Sequence, residues 1–230
     1  AMSFRYAVAA IALVFGGPVF ADTIAVIGTG DVGGALGPEF AGQGHTIVYG
    51  SRDPGRSKVI ELVDRTGELA SATTPAEAAA QADIVVLAVP GLLVEEITKS
   101  LGDLSGKIII DPTNPLERRM NRLEHAVDTS NAEIIQAAAP GAYVVKAFNT
   151  LNWKTMVDPA SAGGPVSIPL VGDNGRAKDK VAELVTGMGL EPIDVGPLRD
   201  ARWVEGMLIL WINNRFGGKR PSFDYHLRAN

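Results

Sequence analysis

The sequence predicts an α/β fold: a doubly wound, mainly parallel sheet with helices on both faces and a short C-terminal helical extension. Three observations carry this. Short β-branched runs alternate with longer helix-like stretches from residue 23 onward. Several runs are apolar at successive positions, as in Ile84-Val85-Val86-Leu87 and Ile108-Ile109-Ile110, the pattern of strands covered on both faces. A glycine-rich turn joins the first strand-like run to the first helix-like one. Alternation of this kind gives parallel strands joined by helical crossovers.

Ahead of the alternation, Ser3-Phe4-Arg5 leads into an apolar run from Tyr6 to Phe15, which Gly16-Gly17-Pro18 breaks and Val19-Phe20-Ala21 ends. One positive charge, a short apolar stretch and a small-residue exit are the parts of a secretory leader. The run is shorter than the roughly 20 apolar residues a membrane span needs. Residues 1–21 are therefore expected to be signal-like and the protein periplasmic or exported. A retained N-terminal helix and a cytoplasmic location are the alternative. Residues 22–230 form one expected domain. Its strands are expected at 23–27, 45–49, 69–72, 83–89, 107–111, 142–147, 166–171 and 191–195. Helices are expected at 32–42, 55–66, 75–80, 92–101, 176–188 and 198–215, with a polar helix-like stretch over 116–136.

Composition narrows the chemistry. A chain of 230 residues with no cysteine excludes thiolate metal sites, disulfide scaffolds and cysteine nucleophiles. With 21 Lys and Arg against 26 Asp and Glu, the net charge of −5 offers no basic field for nucleic acid. The chain is 46% hydrophobic with 26 glycines and 14 prolines, which fits a compact protein with many tight turns. His45, His125 and His226 have no ligand-spaced partners, so no metal site is expected, and each is read as a surface or capping histidine.

The sharpest local signal is Gly28-Thr29-Gly30-Asp31-Val32-Gly33, directly after an apolar strand and opening a helix. This is the context a Rossmann-like dinucleotide fingerprint requires. Gly28 permits the tight turn, Gly30 lets backbone approach a pyrophosphate, and the helix N-terminus offers free N–H groups to it. At the end of the second strand, NAD-preferring folds place an acidic residue. Here the chain reads Gly50-Ser51-Arg52-Asp53-Pro54-Gly55-Arg56. A hydroxyl and two guanidinium groups suit a 2′-phosphate, so the cofactor expected is NADP(H), with Asp53 turning away to cap the next helix. The fourth strand ends in Val89-Pro90-Gly91, an apolar wall for the nicotinamide ribose. The next two end in Asp111-Pro112-Thr113-Asn114-Pro115 and Lys146-Ala147-Phe148-Asn149-Thr150, with small polar residues where the reactive end should lie.

Together, Gly28–Gly33, Gly50-Ser51-Arg52, Ala88-Val89-Pro90 and Lys146-Ala147-Phe148-Asn149-Thr150 resemble the NADPH:coenzyme F420 oxidoreductase family. They are also similar to the NADPH domain of six-transmembrane metalloreductases, especially over residues 144–150. Pro192-Ile193-Asp194-Val195-Gly196-Pro197-Leu198 extends the match to the C-terminal helix. The resemblance implies pyrophosphate contacts from Thr29, Gly30, Asp31 and Val32, and 2′-phosphate contacts from Ser51, Arg52 and Arg56. It implies nicotinamide-side contacts from Val89, Pro90, Gly91 and Asn114, and a homodimer. The family's members lack the leader, and residues 116–136 do not map onto a deazaflavin pocket.

Hydride transfer to a deazaflavin (F420) or flavin-type acceptor needs little acid–base chemistry from the protein, because the cofactors carry the reaction. Reduction of a small carbonyl or imine would need a proton donor, for which Lys146, Tyr143 and His125 are the candidates. A non-catalytic NADP-binding sensor is a third reading. The apolar stretch Trp203–Ile212 supplies two tryptophans and a methionine for an acceptor pocket, a subunit interface or the core.

Overall fold

In the computed structural model, residues 21–216 and 223–228 are described. All of the expected leader but Ala21 lies outside them. The chain folds around one eight-stranded sheet of order β10-β9-β8-β5-β4-β1-β2-β3. Its strands are β1 (Thr23–Ile27), β2 (Thr46–Gly50), β3 (Ala70–Thr73), β4 (Ile84–Leu87), β5 (Ile108–Asp111), β8 (Tyr143–Lys146), β9 (Ser167–Val171) and β10 (Glu191–Gly196). These fall within two residues of the expected spans at every start and end. Pairing is parallel from β3 to β8, with β9 antiparallel to β8 through the pair Lys146–Val171 and β10 parallel to β9.

The continuous apolar runs are explained by two cores, one on each face. Ile24, Val26, Ile84, Val86 and Ile110 join α1 (Asp31–Gly42), α2 (Ser57–Thr66), α6 (Trp153–Val157) and α7 (Gly175–Gly187) on one face. Ala25, Ile27, Val85, Leu87 and Ile109 join α3 (Pro75–Gln81), α4 (Val94–Ser100), α5 (Asn131–Ala138) and the start of α8 (Ala201–Phe216) on the other. Because side chains alternate along a strand, neighbouring residues feed opposite cores and both must be apolar.

One expectation is corrected. Residues 116–136 are not one helix-like stretch: Leu116–Arg119 (β6) and Arg122–His125 (β7) form an antiparallel hairpin, followed by α5. Met120 takes the first turn position with a left-handed φ of 50°. The short α6 was not foreseen. In α8, Ala201, Val204, Glu205, Leu208 and Trp211 are buried at helical spacing, while Trp203 and Leu210 are 72% and 66% exposed. The two tryptophans therefore divide between core and surface. Beyond α8, the Tyr225 carbonyl accepts from the Ser167 backbone N–H of β9, and Leu227 pairs with the Ser167 side chain. Among the described residues no helix is long and apolar enough to cross a membrane.

Candidate functional site

In the strand order, the chain's direction of travel reverses between β1 and β4, and crevices form at the carboxyl ends of strands at such points. A cavity of about 830 Å³ lies there. Of the twelve predicted residues, eight line it: Gly28, Thr29, Gly30, Ser51, Arg52, Arg56, Val89 and Pro90. Gly28 has φ +102°, and a Cβ there would lie 2.2 Å from the Ala88 carbonyl oxygen, so the turn seats directly on the end of β4. Gly30 is the opposite case. A Cβ on it would meet no protein atom within 4 Å, which leaves clearance for a ligand against bare backbone. Gly30 is also the N-cap of α1, and no side chain caps that helix. Its first-turn N–H groups are thus free of a side-chain oxygen, as a phosphate requires.

On the second wall, Ser51 is buried and exchanges hydrogen bonds with the Asp53 backbone, while Arg52 and Arg56 are exposed. The Arg56 guanidinium reaches Thr29 Oγ1 at 3.5 Å, joining the two loops across the cavity. Asp53 does not cap α2, as had been expected. Arg56 is its N-cap without a side-chain hydrogen bond, and Asp53 stays on the cavity rim.

Asp31, Val32, Gly91 and Asn114 stand outside this cavity lining. Asp31 and Val32 open α1, beside the glycine turn. Gly91 packs on Asn114 so closely that a Cβ would come within 1.9 Å of the Asn114 carbonyl oxygen. Asn114 and Asn149 then form an amide pair: Asn149 Nδ2 donates to Asn114 Oδ1 at 3.0 Å, and Asn114 Nδ2 donates to the Asn149 carbonyl at 3.2 Å. Asn149 follows Phe148, whose left-handed φ of 63° turns the chain after β8. Buried Phe148 is held there edge-on against Phe40, at 6.2 Å between ring centroids.

Behind this amide wall the structure corrects two readings. Lys146 does not face the crevice, and His125 is not an isolated surface or capping histidine. Asp111 and Lys146 are register partners on β5 and β8 and point to the face covered by α5 and α8. The Lys146 ammonium donates to Asp111 Oδ2 at 2.6 Å, to Glu205 Oε1 at 2.6 Å and to the Thr113 carbonyl at 2.7 Å. All three charged side chains are 0% exposed. Burial pushes the Asp111 carboxyl up from its ordinary value, against the pull of Lys146. Glu205, which completes this cluster, is the member that sequence reasoning missed. Its signal is a lone carboxylate in the apolar run Trp203–Ile212.

Comparison with known proteins places this geometry. Residues 23–115 match the family model described as NADP oxidoreductase, coenzyme F420-dependent. The F420-dependent NADP reductase of Methanothermobacter marburgensis is 31% identical over 209 residues, covering 83% of this chain and 91% of that protein. Metalloreductase STEAP3 of Rattus norvegicus is 33% identical over 191 residues, covering 83% of this chain, which spans 37% of that longer protein. Among solved structures, a putative F420-dependent NADP-reductase from Arthrobacter sp. FB24 superposes with a TM-score of 0.83 at 32% identity, over 91% of this chain and all of that one.

Proposed function

This chain belongs to the F420-dependent NADP reductase family and is an NADP-dependent oxidoreductase, and from that premise we propose that its acceptor is a deazaflavin such as F420 or a flavin-type ring. Bound NADPH would supply the hydride, and the acceptor takes it together with a proton from solvent. The chain's own residues then have three tasks. Thr29, Gly30, Asp31 and Val32 hold the pyrophosphate at the N-terminus of α1. Ser51, Arg52 and Arg56 hold the 2′-phosphate by charge-assisted hydrogen bonds. Val89, Pro90, Gly91 and Asn114 form the wall against which the reactive end is oriented.

One observation carries the choice of acceptor: none of the three candidate proton donors stands free at the crevice to protonate a carbonyl. Lys146 is 0% exposed with its three N–H bonds all engaged. Both ring nitrogens of His125 are engaged as well. Tyr143 begins β8, at the strand end opposite the crevice. What faces the reactive end is the Asn114–Asn149 amide pair, which suits a reaction whose chemistry belongs to two stacked rings.

The test is NADPH oxidation by purified protein with F420, FMN, FAD and a panel of carbonyls and imines as separate acceptors. Turnover with a ring-type acceptor is expected. Turnover confined to carbonyls or imines would overturn the reading, and tight NADPH binding with no turnover on any acceptor would replace it with a sensor.

A further inference from the structure

The buried cluster behind the amide wall has a fourth charged member. Glu205 Oε2 lies 2.8 Å from His125 Nε2, and His125 Nδ1 lies 2.8 Å from the Val127 carbonyl. A carbonyl only accepts, so Nδ1 carries a hydrogen; a proton then sits between Nε2 and the Glu205 carboxylate. With it, two carboxylates, one ammonium and one imidazolium sum to zero. Without it, an interior cluster is left with an uncompensated negative charge, which a low-dielectric interior penalises heavily. His125 is also the cluster's route to water. Its side chain is 23% exposed, while Asp111, Lys146 and Glu205 are sealed.

The cluster is wired to the wall. Glu205 Oε1 accepts from the Asn131 backbone N–H at 2.9 Å, the first residue of α5. The Asn131 side-chain amide donates to the Gly91 carbonyl at 2.9 Å and to Thr113 Oγ1 at 2.7 Å. Thr113 in turn donates from its backbone N–H and its hydroxyl to Asp111 Oδ1. The turns that end β4 and β5 therefore share one anchor, and that anchor is held by Glu205.

We propose that His125 is a positioning residue for the nicotinamide end of the dinucleotide site: its charge keeps Glu205 in the buried cluster, and through Asn131 keeps the Gly91–Asn114 wall in place. This rests on the cofactor reading above. The groups facing the imidazole are Glu205 on α8, with Lys146 on β8 and Asp111 on β5 behind it. On its own hairpin it has Glu124 as neighbour and the apolar Leu116 opposite. The Glu205 hydrogen bond holds His125 above the ordinary histidine value of 6.5, against burial and Lys146. A group raised in this way contributes fully below its unfolded value, and the contribution is lost as pH rises through the folded one. The wall therefore loosens on the alkaline side.

The test compares NADPH with 2′-phospho-ADP-ribose, which lacks only the nicotinamide, by affinity from about pH 6 to pH 9. The 2′-phosphate titrates in both ligands and cancels in the ratio of affinities, and the pyrophosphate common to both carries no titrating proton in this range. In the wild type, the preference for NADPH should fall by roughly tenfold as His125 loses its proton. His125→Gln should show the low ratio at every pH, and His125→Lys, charged throughout, the high ratio at every pH. A His125→Gln protein that keeps the wild-type ratio and its pH limb overturns the proposal. So does a His125→Lys protein as low as His125→Gln, since charge would then not be the agent. Parallel loss of 2′-phospho-ADP-ribose affinity in His125→Gln would make the role merely structural and overturn it too. Absence of 2′-phospho-ADP-ribose binding in the wild type would instead defeat the cofactor reading, and this proposal with it.

Discussion

At the end of β2, the Ser51 hydroxyl and the Arg52 and Arg56 guanidinium groups share one cavity wall. Hydrogen bonds to charged groups contribute about 1.5–3 kcal/mol each, so Arg52→Ala should weaken NADPH binding by about 10–150-fold. NADH, lacking the 2′-phosphate, should be almost unaffected, and parallel dissociation constants for the two nucleotides check this. Lys146 makes the contrasting residue. Replacing it by methionine strands the Asp111 and Glu205 carboxylates in the interior, and breaking a buried pair in this way costs about 3–5 kcal/mol. Urea unfolding of Lys146→Met should show that loss as a lower midpoint. Arg52 was legible in the sequence because it follows the glycine turn by one helix and one strand, a short local distance. Lys146 was not, because its partners lie on other elements, Asp111 being 35 residues away. Only the register of β5 against β8 brings them together.

Among the elements, the β6–β7 hairpin was the hardest to read. Leu116–His125 carries charges at Glu117, Arg118, Arg119, Arg122 and Glu124, and no residue of either strand is fully buried. A ribbon without a buried face shows no period-two pattern. Its fixing point is instead a side chain of α8. Asn213 Oδ1 accepts from the Leu123 N–H at 2.9 Å, and Asn213 Nδ2 donates to the Leu123 carbonyl at 2.7 Å, as a neighbouring strand would. Asn213→Ala leaves both groups of Leu123 without these partners, at a cost of about 1–3 kcal/mol. The loss should be confined to the hairpin and visible as faster amide exchange at Leu123, with the exchange of β1 and β4 unchanged. The helix α8 was legible as a helix, but not which of its sides faces inward, because Trp203 and Leu210 are as apolar as the residues it buries.

For the molecule as a whole, the six inner strands were legible because a sheet buried on both faces leaves short continuous apolar runs, whereas the edges β3 and β10 are only partly buried. The cavity was legible for the same reason: the glycine turn and the strand order together fix the crevice between β1 and β4. A ligand that spans this crevice stabilises the whole fold by mass action. At 100 times its dissociation constant NADPH should add about 2.7 kcal/mol. At roughly 2–4 °C per kcal/mol for a chain of this size, its melting temperature should rise by about 5–11 °C. Thermal melts with NADPH and with NADH at equal concentration check this, the smaller rise being expected for NADH.

The residues lining the cavity run from Ile27 to Ser100, whereas the amide wall is held by Glu205 and β9 is joined by Tyr225 and Leu227. Synthesis runs from the N-terminus, and domains fold as their parts emerge. On the ribosome, the half of the site proposed to grip phosphates is therefore made first, and the half proposed to aim the nicotinamide is completed only near the end of translation.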